Sequence, residues 1–118
     1  MVANTVKSRK AKGRKLQQLI CALIYAHNPD LWPGDVESTI MGDKGADVKL
    51  SPRAKELIPF GIECKNTEKL SIWKAWEQVC ARETLEGEPL LCFKRSRSEI
   101  LVTLRATKFF ELLSKVKR

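Results

Sequence analysis

Apolar residues recur at helical spacing near the start of the chain. From Gly13 to about His27 they lie three and four positions apart, which places them on one side of an α-helix. Asn28-Pro29 then interrupts the pattern, because proline cannot continue a helix. We therefore predict a helix over residues 13–27. Its apolar positions are Leu16, Leu19, Ile20, Leu23 and Ile24.

Short segments with alternating or continuous apolar residues predict strands. Gly42-Asp43-Lys44-Gly45, between the first two segments, has the composition of a hairpin turn. The predicted strands are Val36–Met41, Ala46–Leu50, Phe60–Lys65, Pro89–Phe93 and Ile100–Leu104.

Further helices are predicted between and after these strands. Ser51 suits an N-cap and Pro52 suits a first helical position. The predicted helical ranges are 51–57, 70–85 and 106–115. The aromatic residues expected to pack in the core are Trp73, Trp76, Phe109 and Phe110. This order of elements predicts one α/β domain, with a central mixed sheet of about five strands flanked by helices.

Length and composition exclude several classes of protein. The chain has 118 residues, of which 43% are hydrophobic, enough for a single modest core. Its longest apolar run, Leu19 to Tyr25, is far shorter than the roughly 20 residues of a membrane span. The four cysteines form no C-x-x-C pair, which favours free thiols over zinc. The basic start does not have the pattern of a secretory signal. We expect a cytoplasmic protein without a membrane partner.

Positive charge is concentrated in clusters. The net charge is +8, and the first fifteen residues hold six basic side chains and no acid. Clustered cations suit a nucleic acid, because each one near a phosphate releases counterions, although a solubilising tail is the alternative. We predict a flexible basic arm over residues 1–12 and a single domain over residues 13–118. The candidate nucleic-acid-binding residues are Lys7, Arg9, Lys10, Lys12, Arg14, Lys15, Lys94, Arg95 and Arg97.

Three charged residues lie where a core is expected. Glu63 and Lys65 are two positions apart on one predicted strand and project from the same sheet face, and Asp47 lies on the preceding strand. If these strands pair, the three side chains converge. Two close carboxylates repel each other, and a divalent cation such as Mg²⁺ removes that conflict. A lysine beside a metal-bound water assists phosphodiester hydrolysis. An exposed strand face with a cross-strand ion pair is the simpler alternative.

These residues resemble the split motif of the PD-(D/E)xK nucleases. Gly45-Ala46-Asp47-Val48 is followed by Ile62-Glu63-Cys64-Lys65, and the strand–turn–strand–strand–helix order around them matches the core of that family. Residues 35–104 resemble small phage-type nucleases akin to Holliday junction resolvases. The resemblance implies a restriction-endonuclease-like fold.

The resemblance also implies a function and roles for the residues. It implies a metal-dependent endonuclease for branched DNA, acting in DNA recombination in a phage or its prokaryotic host. Asp47 and Glu63 would ligate Mg²⁺ or Mn²⁺ together with the backbone carbonyl of Cys64. Lys65 would assist the attacking water, and Gln78 would support the site from the following helix. Two coordinated incisions at a junction imply a homodimer.

Two positions depart from the pattern of the family. Ala46 replaces the proline, which is a common change. Resolvase-type members also carry a ligating glutamate on the first helix, where this chain offers only Gln17 and Gln18. A neutral amide is a weaker ligand, so we expect one metal ion rather than two. Glu37 or Asp35 could substitute for the glutamate.

A non-catalytic nucleic-acid-binding protein on a nuclease-like fold is the alternative function. Carboxylates repel phosphates unless a metal ion bridges them, so the Asp47 and Glu63 pair favours the enzyme.

Overall fold

The computed structural model describes residues 6–40, 45–82 and 87–116, and within them the chain is an α/β protein. The helices are α1 (Val6–His27), α2 (Pro52–Leu57), α3 (Ile72–Cys80) and α4 (Ala106–Ser114). The strands are β1 (Val36–Ser38), β2 (Val48–Leu50), β3 (Phe60–Asn66), β4 (Glu88–Lys94) and β5 (Leu101–Thr103). Each strand therefore falls within or over a predicted one. The predicted hairpin turn at 42–45 lies outside the described residues except for Gly45.

The strands form two sheets rather than one. β1 and β2 pair antiparallel, whereas β3 pairs parallel with β4 and β4 pairs antiparallel with β5. A single sheet of about five strands is thus not seen, although the three-stranded sheet is mixed as predicted. The two sheets meet where the Asp47 N–H donates to the carbonyl oxygen of Ile62, at 2.9 Å.

Two apolar clusters cover opposite faces of the three-stranded sheet. The cluster beneath α1 contains Leu16, Ile20, Leu31, Val36, Val48, Ala54, Ile62, Cys64 and Cys92. The cluster beneath α3 contains Ala75, Val79 and Leu91. Successive residues of a strand face opposite sides, so Glu63 and Lys65 project toward the α3 side. The sheet therefore lies between two helical layers, with the charged residues of β3 beneath α3.

A close backbone contact fixes the register of the parallel pair. Gly87 has a φ of +96°, and a Cβ at this position would lie only 2.9 Å from the carbonyl oxygen of Pro59. The Glu88 N–H donates to the same oxygen at 3.1 Å. A side chain at residue 87 would push the strands apart, so glycine permits the register that sets Glu63 opposite Leu91.

Helix α1 includes residues 6–12 of the predicted flexible arm, so this part of the arm is helical, and residues 1–5 of the predicted arm lie outside the described residues. The segment is rich in lysine, arginine and alanine, which are good helix formers. The side-chain amide of Asn66 on β3 donates to the carbonyl of Lys12 at 3.0 Å, which anchors this part of the helix. No helix in the described ranges is long and apolar enough to cross a membrane.

The predicted packing of three aromatic residues was wrong. Trp73 is 78% exposed on α3, and Phe109 and Phe110 are exposed on α4. Trp76 does pack against the α3 cluster. Helix α4 has no buried residue, because no element among the described residues covers its apolar face. Hydrophobic spacing predicted these helices without showing what they pack against.

Candidate functional site

Asp47 is fixed at the junction of the two sheets, immediately before β2. Its carbonyl oxygen accepts hydrogen bonds from the N–H of Thr39 at 3.0 Å and from the hydroxyl of Thr39 at 3.2 Å. Its carboxylate accepts a hydrogen bond from the N–H of Cys64 on β3 at 2.7 Å. Backbone and side chain therefore both hold Asp47 against the strand that carries Glu63.

Glu63 is a buried carboxylate with one satisfied oxygen. Only 6% of the residue is exposed. Its Oε1 lies 2.7 Å from a guanidinium nitrogen of Arg82, and Arg82 also donates to the carbonyl of Gly45. The other oxygen, Oε2, is buried without a hydrogen-bond partner among the described residues. A buried polar atom without a partner is costly, and such an atom marks a place where a ligand can bind.

Both carboxylates have raised pKa values, and the charge of Asp47 contributes to the shift of Glu63. Burial, together with the charge of Asp47, raises the pKa of Glu63 to about 7, although Arg82 and Lys65 oppose the shift. Burial also raises the pKa of Asp47, and the hydrogen bond from Cys64 works against it. Perturbed pKa values of this kind are common at functional sites.

Lys65 lies on the same face of β3 as Glu63 and is half-buried. Its positive charge lowers the pKa of both Asp47 and Glu63. This effect is smaller than that of burial, which raises both pKa values. The structure thus brings Asp47, Glu63 and Lys65 together, and it adds Arg82 to them.

The donor set fits a hard divalent cation with few protein ligands. The described residues contain no group of three His, Cys, Asp or Glu side chains that could hold a metal ion. Mg²⁺ commonly binds through one or two carboxylates and keeps several waters, so the Asp47 and Glu63 pair is sufficient. The unpartnered Oε2 of Glu63 supplies a free oxygen ligand. The guanidinium of Arg82 donates a hydrogen bond to the other oxygen of the same carboxylate, Oε1.

Gln78 is not brought to the carboxylates. It is exposed on α3, and no hydrogen bond joins it to Asp47 or Glu63 in the described part of the chain. Arg82, two residues beyond α3, makes the contact with Glu63 instead. Arg82 is not predicted from the sequence, because the helical pattern extends to residue 85 and places Arg82 on the same face as Gln78. The helix ends at Cys80, and the chain then turns so that Arg82 reaches β3.

The residues considered as replacements for a first-helix glutamate lie in different surroundings. Asp35 accepts hydrogen bonds from the Trp32 N–H at 2.6 Å and the Ser51 hydroxyl at 2.7 Å, which hold its pKa below the usual range. Glu37 is exposed on β1. Gln17 is buried on α1, and its Oε1 has no partner among the described residues. Gln17 and Glu63 therefore each have a buried side-chain oxygen without a hydrogen-bond partner among the described residues.

The basic residues lie in two separate places. Six of them occupy the first half of α1, and the others follow β4. The first turn of α1 contains no acidic residue, so the cations lie at the positive end of the helix dipole. The α1 residues are Lys7, Arg9, Lys10, Lys12, Arg14 and Lys15, and the loop residues are Arg95 and Arg97 after Lys94 at the end of β4.

Comparison with known proteins does not identify the chain: no family model, no curated protein and no solved structure matches it. The resemblance to PD-(D/E)xK nucleases accordingly remains a prediction from the sequence.

Proposed function

We propose that the protein is a metal-dependent endodeoxyribonuclease with a restriction-endonuclease-like core, and that it cleaves branched DNA. The observation that carries the proposal is the buried Glu63 with its unpartnered oxygen, beside Asp47 and Lys65. A structural ion pair does not require a second, partly buried carboxylate such as Asp47, because the repulsion costs free energy. Binding a divalent cation offsets that cost.

In this proposal, Asp47 and Glu63 hold Mg²⁺ or Mn²⁺, and the backbone carbonyl of Cys64 completes the protein ligands. When bound, the ion lowers the pKa of a coordinated water and neutralises charge on the phosphodiester. The N–H of Cys64 keeps the Asp47 carboxylate in place through the 2.7 Å hydrogen bond.

Lys65 and Arg82 supply positive charge around the carboxylates. Lys65 orients the attacking water or balances charge that develops on the phosphate. Arg82 compensates Glu63 while no cation is bound, through the 2.7 Å contact. Once a cation takes over that compensation, the guanidinium can bind a phosphate oxygen, a role for which its forked geometry is suited.

The cations of α1 support DNA as the substrate. Six positive side chains within residues 7–15 repel one another, and Lys7 and Arg9 also lie in the first turn, at the positive end of the helix dipole. A polyanion offsets both effects. We place the protein in the cytoplasm of a phage-infected or other prokaryotic cell, where such DNA is found.

Neutralising three exposed cations of α1 should weaken DNA binding without abolishing cleavage. In a Lys7→Gln, Arg9→Gln, Lys10→Gln variant, the slope of log affinity against log salt should flatten by up to about 2.7 on duplex DNA, at roughly 0.9 per contact. Incision at saturating protein should stay near normal. Lys55→Gln on α2 is the control. An unchanged slope would show that these cations only improve solubility.

The carboxy-terminal surface supports a homodimer. Large apolar side chains on β5, on α4 and just after it are exposed, and β5 pairs with β4 on only one edge within the described residues. An exposed apolar patch and a free strand edge mark an interaction site. The exposed residues are Leu101, Val102, Phe109, Phe110, Leu113 and Val116.

Phe110→Asp should convert the protein to a monomer while it remains folded, because α4 has no buried residue. Sedimentation equilibrium should give about twice the chain mass of 13.4 kDa for the unmodified protein and the single mass for the variant. Leu57→Asp, an exposed leucine on α2, should leave the dimer intact. An unmodified protein that is monomeric at tens of micromolar contradicts this assignment.

A cleavage assay separates the nuclease from the non-catalytic alternative. The protein is incubated with a four-way junction, a duplex, a flap and a single strand, each with and without Mg²⁺ or Mn²⁺. Metal-dependent incision, strongest on branched DNA, is the expected result. Binding without incision under every condition would favour a DNA-binding protein on a nuclease-like fold.

A further inference from the structure

A groove opens where the parallel strands β3 and β4 end side by side. Its volume is about 1160 Å³, and it is lined by residues 67–72 after β3 together with residues 93–99 and Leu101. The groove is separate from Asp47 and Glu63. Glu63 and Thr67 are four residues apart, and about 3.3 Å per residue along the strand gives a separation of about 13 Å. About four nucleotides of a stacked strand span that distance.

The groove carries an excess of positive charge. Lys69, Lys94, Arg95 and Arg97 line it, against two carboxylates, Glu68 and Glu99. Glu68 is already engaged, since it accepts a hydrogen bond from the Ser96 N–H at 3.2 Å and lies 3.9 Å from Lys12. In the described ranges, no ion pair joins Lys69, Lys94 or Arg97 to a carboxylate. These cations are therefore available to an anionic ligand.

Arg97 adopts a backbone conformation that disfavours every residue with a side chain. Its φ is 62°, in the left-handed region that glycine occupies more easily. The Ser98 N–H closes the turn on the carbonyl of Arg95 at 3.2 Å, and the Ser98 hydroxyl accepts from the Arg95 N–H at 3.0 Å. An arginine thus occupies a position of the turn where glycine would be less strained, which is consistent with a binding function of its guanidinium.

An exposed aromatic residue follows the groove-lining residues directly in the sequence. Ser71 and Ile72 line the groove, and Trp73 follows them in the first turn of α3 with 78% of its surface exposed. Stacking on a nucleic-acid base requires such exposure. An exposed tryptophan next to unpaired cations is the combination by which proteins bind single strands, with phosphates on the cations and bases on the ring.

We propose that this groove binds an unpaired segment of a nucleic-acid strand. Lys69, Lys94 and Arg97 contact its phosphates, and Trp73 stacks on one of its bases. This proposal rests on the proposed function, which identifies the substrate as DNA. It makes that function more specific, because the preferred DNA has an unpaired stretch about four nucleotides from the scissile phosphate.

The test compares two groove variants with two matched controls. Binding of the full chain to a labelled 12-nucleotide single strand and to the corresponding duplex is measured by fluorescence anisotropy, in EDTA so that no cleavage occurs. Arg97→Gly keeps the turn and removes one cation, with Lys55→Gln as the charge control. Trp73→Ala removes the exposed ring, with Trp32→Ala, which removes another exposed tryptophan, as its control. Thermal unfolding verifies that each variant is folded.

Arg97→Gly should flatten the salt dependence on the single strand by about 0.7, the value for one lost phosphate contact. Trp73→Ala should weaken single-strand binding about fivefold or more and leave duplex binding unchanged. Equal losses on both DNAs, or no loss with either groove variant, would overturn the proposal. This binding experiment contains no divalent cation, so a negative result would not bear on the proposed cleavage by Asp47 and Glu63. Conversely, groove binding without any cleavage in Mg²⁺ would refute only the nuclease.

Discussion

Asp47→Asn and Glu63→Gln should each reduce DNA cleavage by roughly three orders of magnitude or more, while the fold and most of the DNA binding remain. Each substitution removes one ligand charge and hardly changes side-chain volume. The loss of several kcal/mol of charge stabilisation corresponds to this factor, at about 1.4 kcal/mol per tenfold. Initial rates of incision on a four-way junction in Mg²⁺ measure the effect.

Glu37→Gln is the control for this experiment, because Glu37 is an exposed carboxylate on β1 whose charge affects Cys21 on α1 and contributes to the pKa shift of neither Asp47 nor Glu63. It should cleave at the normal rate. Lys65→Ala should also lose most of the activity, and Lys65→Arg should not restore it, since a guanidinium differs in shape and does not release its proton. Cleavage that persists in both carboxylate variants would remove the assignment of the site.

Without divalent cations, the free energy of unfolding should fall as the pH rises from about 4.5 to 7. Burial and the charge of Asp47 raise the pKa of Glu63 from 4.5 to about 7, so the folded protein holds a proton that the unfolded chain has released. The stabilisation is complete below 4.5 and is lost as the pH passes 7. The shift corresponds to about 3 kcal/mol.

Urea unfolding at several pH values measures this dependence, and Glu63→Gln isolates it. The difference in unfolding free energy between the unmodified protein and Glu63→Gln should change by about 3 kcal/mol over this range, whereas Glu37→Gln should follow the unmodified protein. Mg²⁺ should raise the melting temperature more at pH 8 than at pH 5, because Glu63 is ionised only at the higher pH. A difference that does not vary with pH would show that Glu63 has an ordinary pKa.

Local patterns predicted most of the elements and much of the site. Alternation placed Glu63 and Lys65 on one face of β3, and turn composition placed Asp47 on a neighbouring strand. The end of α3 was not predictable in the same way, because residues 81–86 contain no proline or glycine to stop a helix. For that reason the helical pattern placed Arg82 beside Gln78 on the flank of α3 and did not predict its contact with Glu63.

The aromatic residues show a second limit of sequence patterns. An apolar stripe on a helix indicates that the face tends to be covered, and the pattern is the same whether another element or another molecule covers it. Trp73 and Phe110 were predicted to be in the core and are exposed. The structure therefore places both residues outside the core, and contact with DNA for Trp73 and with a second copy of the chain for Phe110 is what we propose.

The sequence by itself determined the α/β class, the places of the five strands and the concentration of positive charge, because periodicity, capping and composition are local properties. Only the tertiary structure decided that Asp47 joins the two sheets, that Arg82 compensates Glu63, and that one oxygen of Glu63 has no partner within the described parts of the chain. These features depend on contacts between residues far apart in the chain. Their geometry is set by which elements pack together, and no local pattern encodes it.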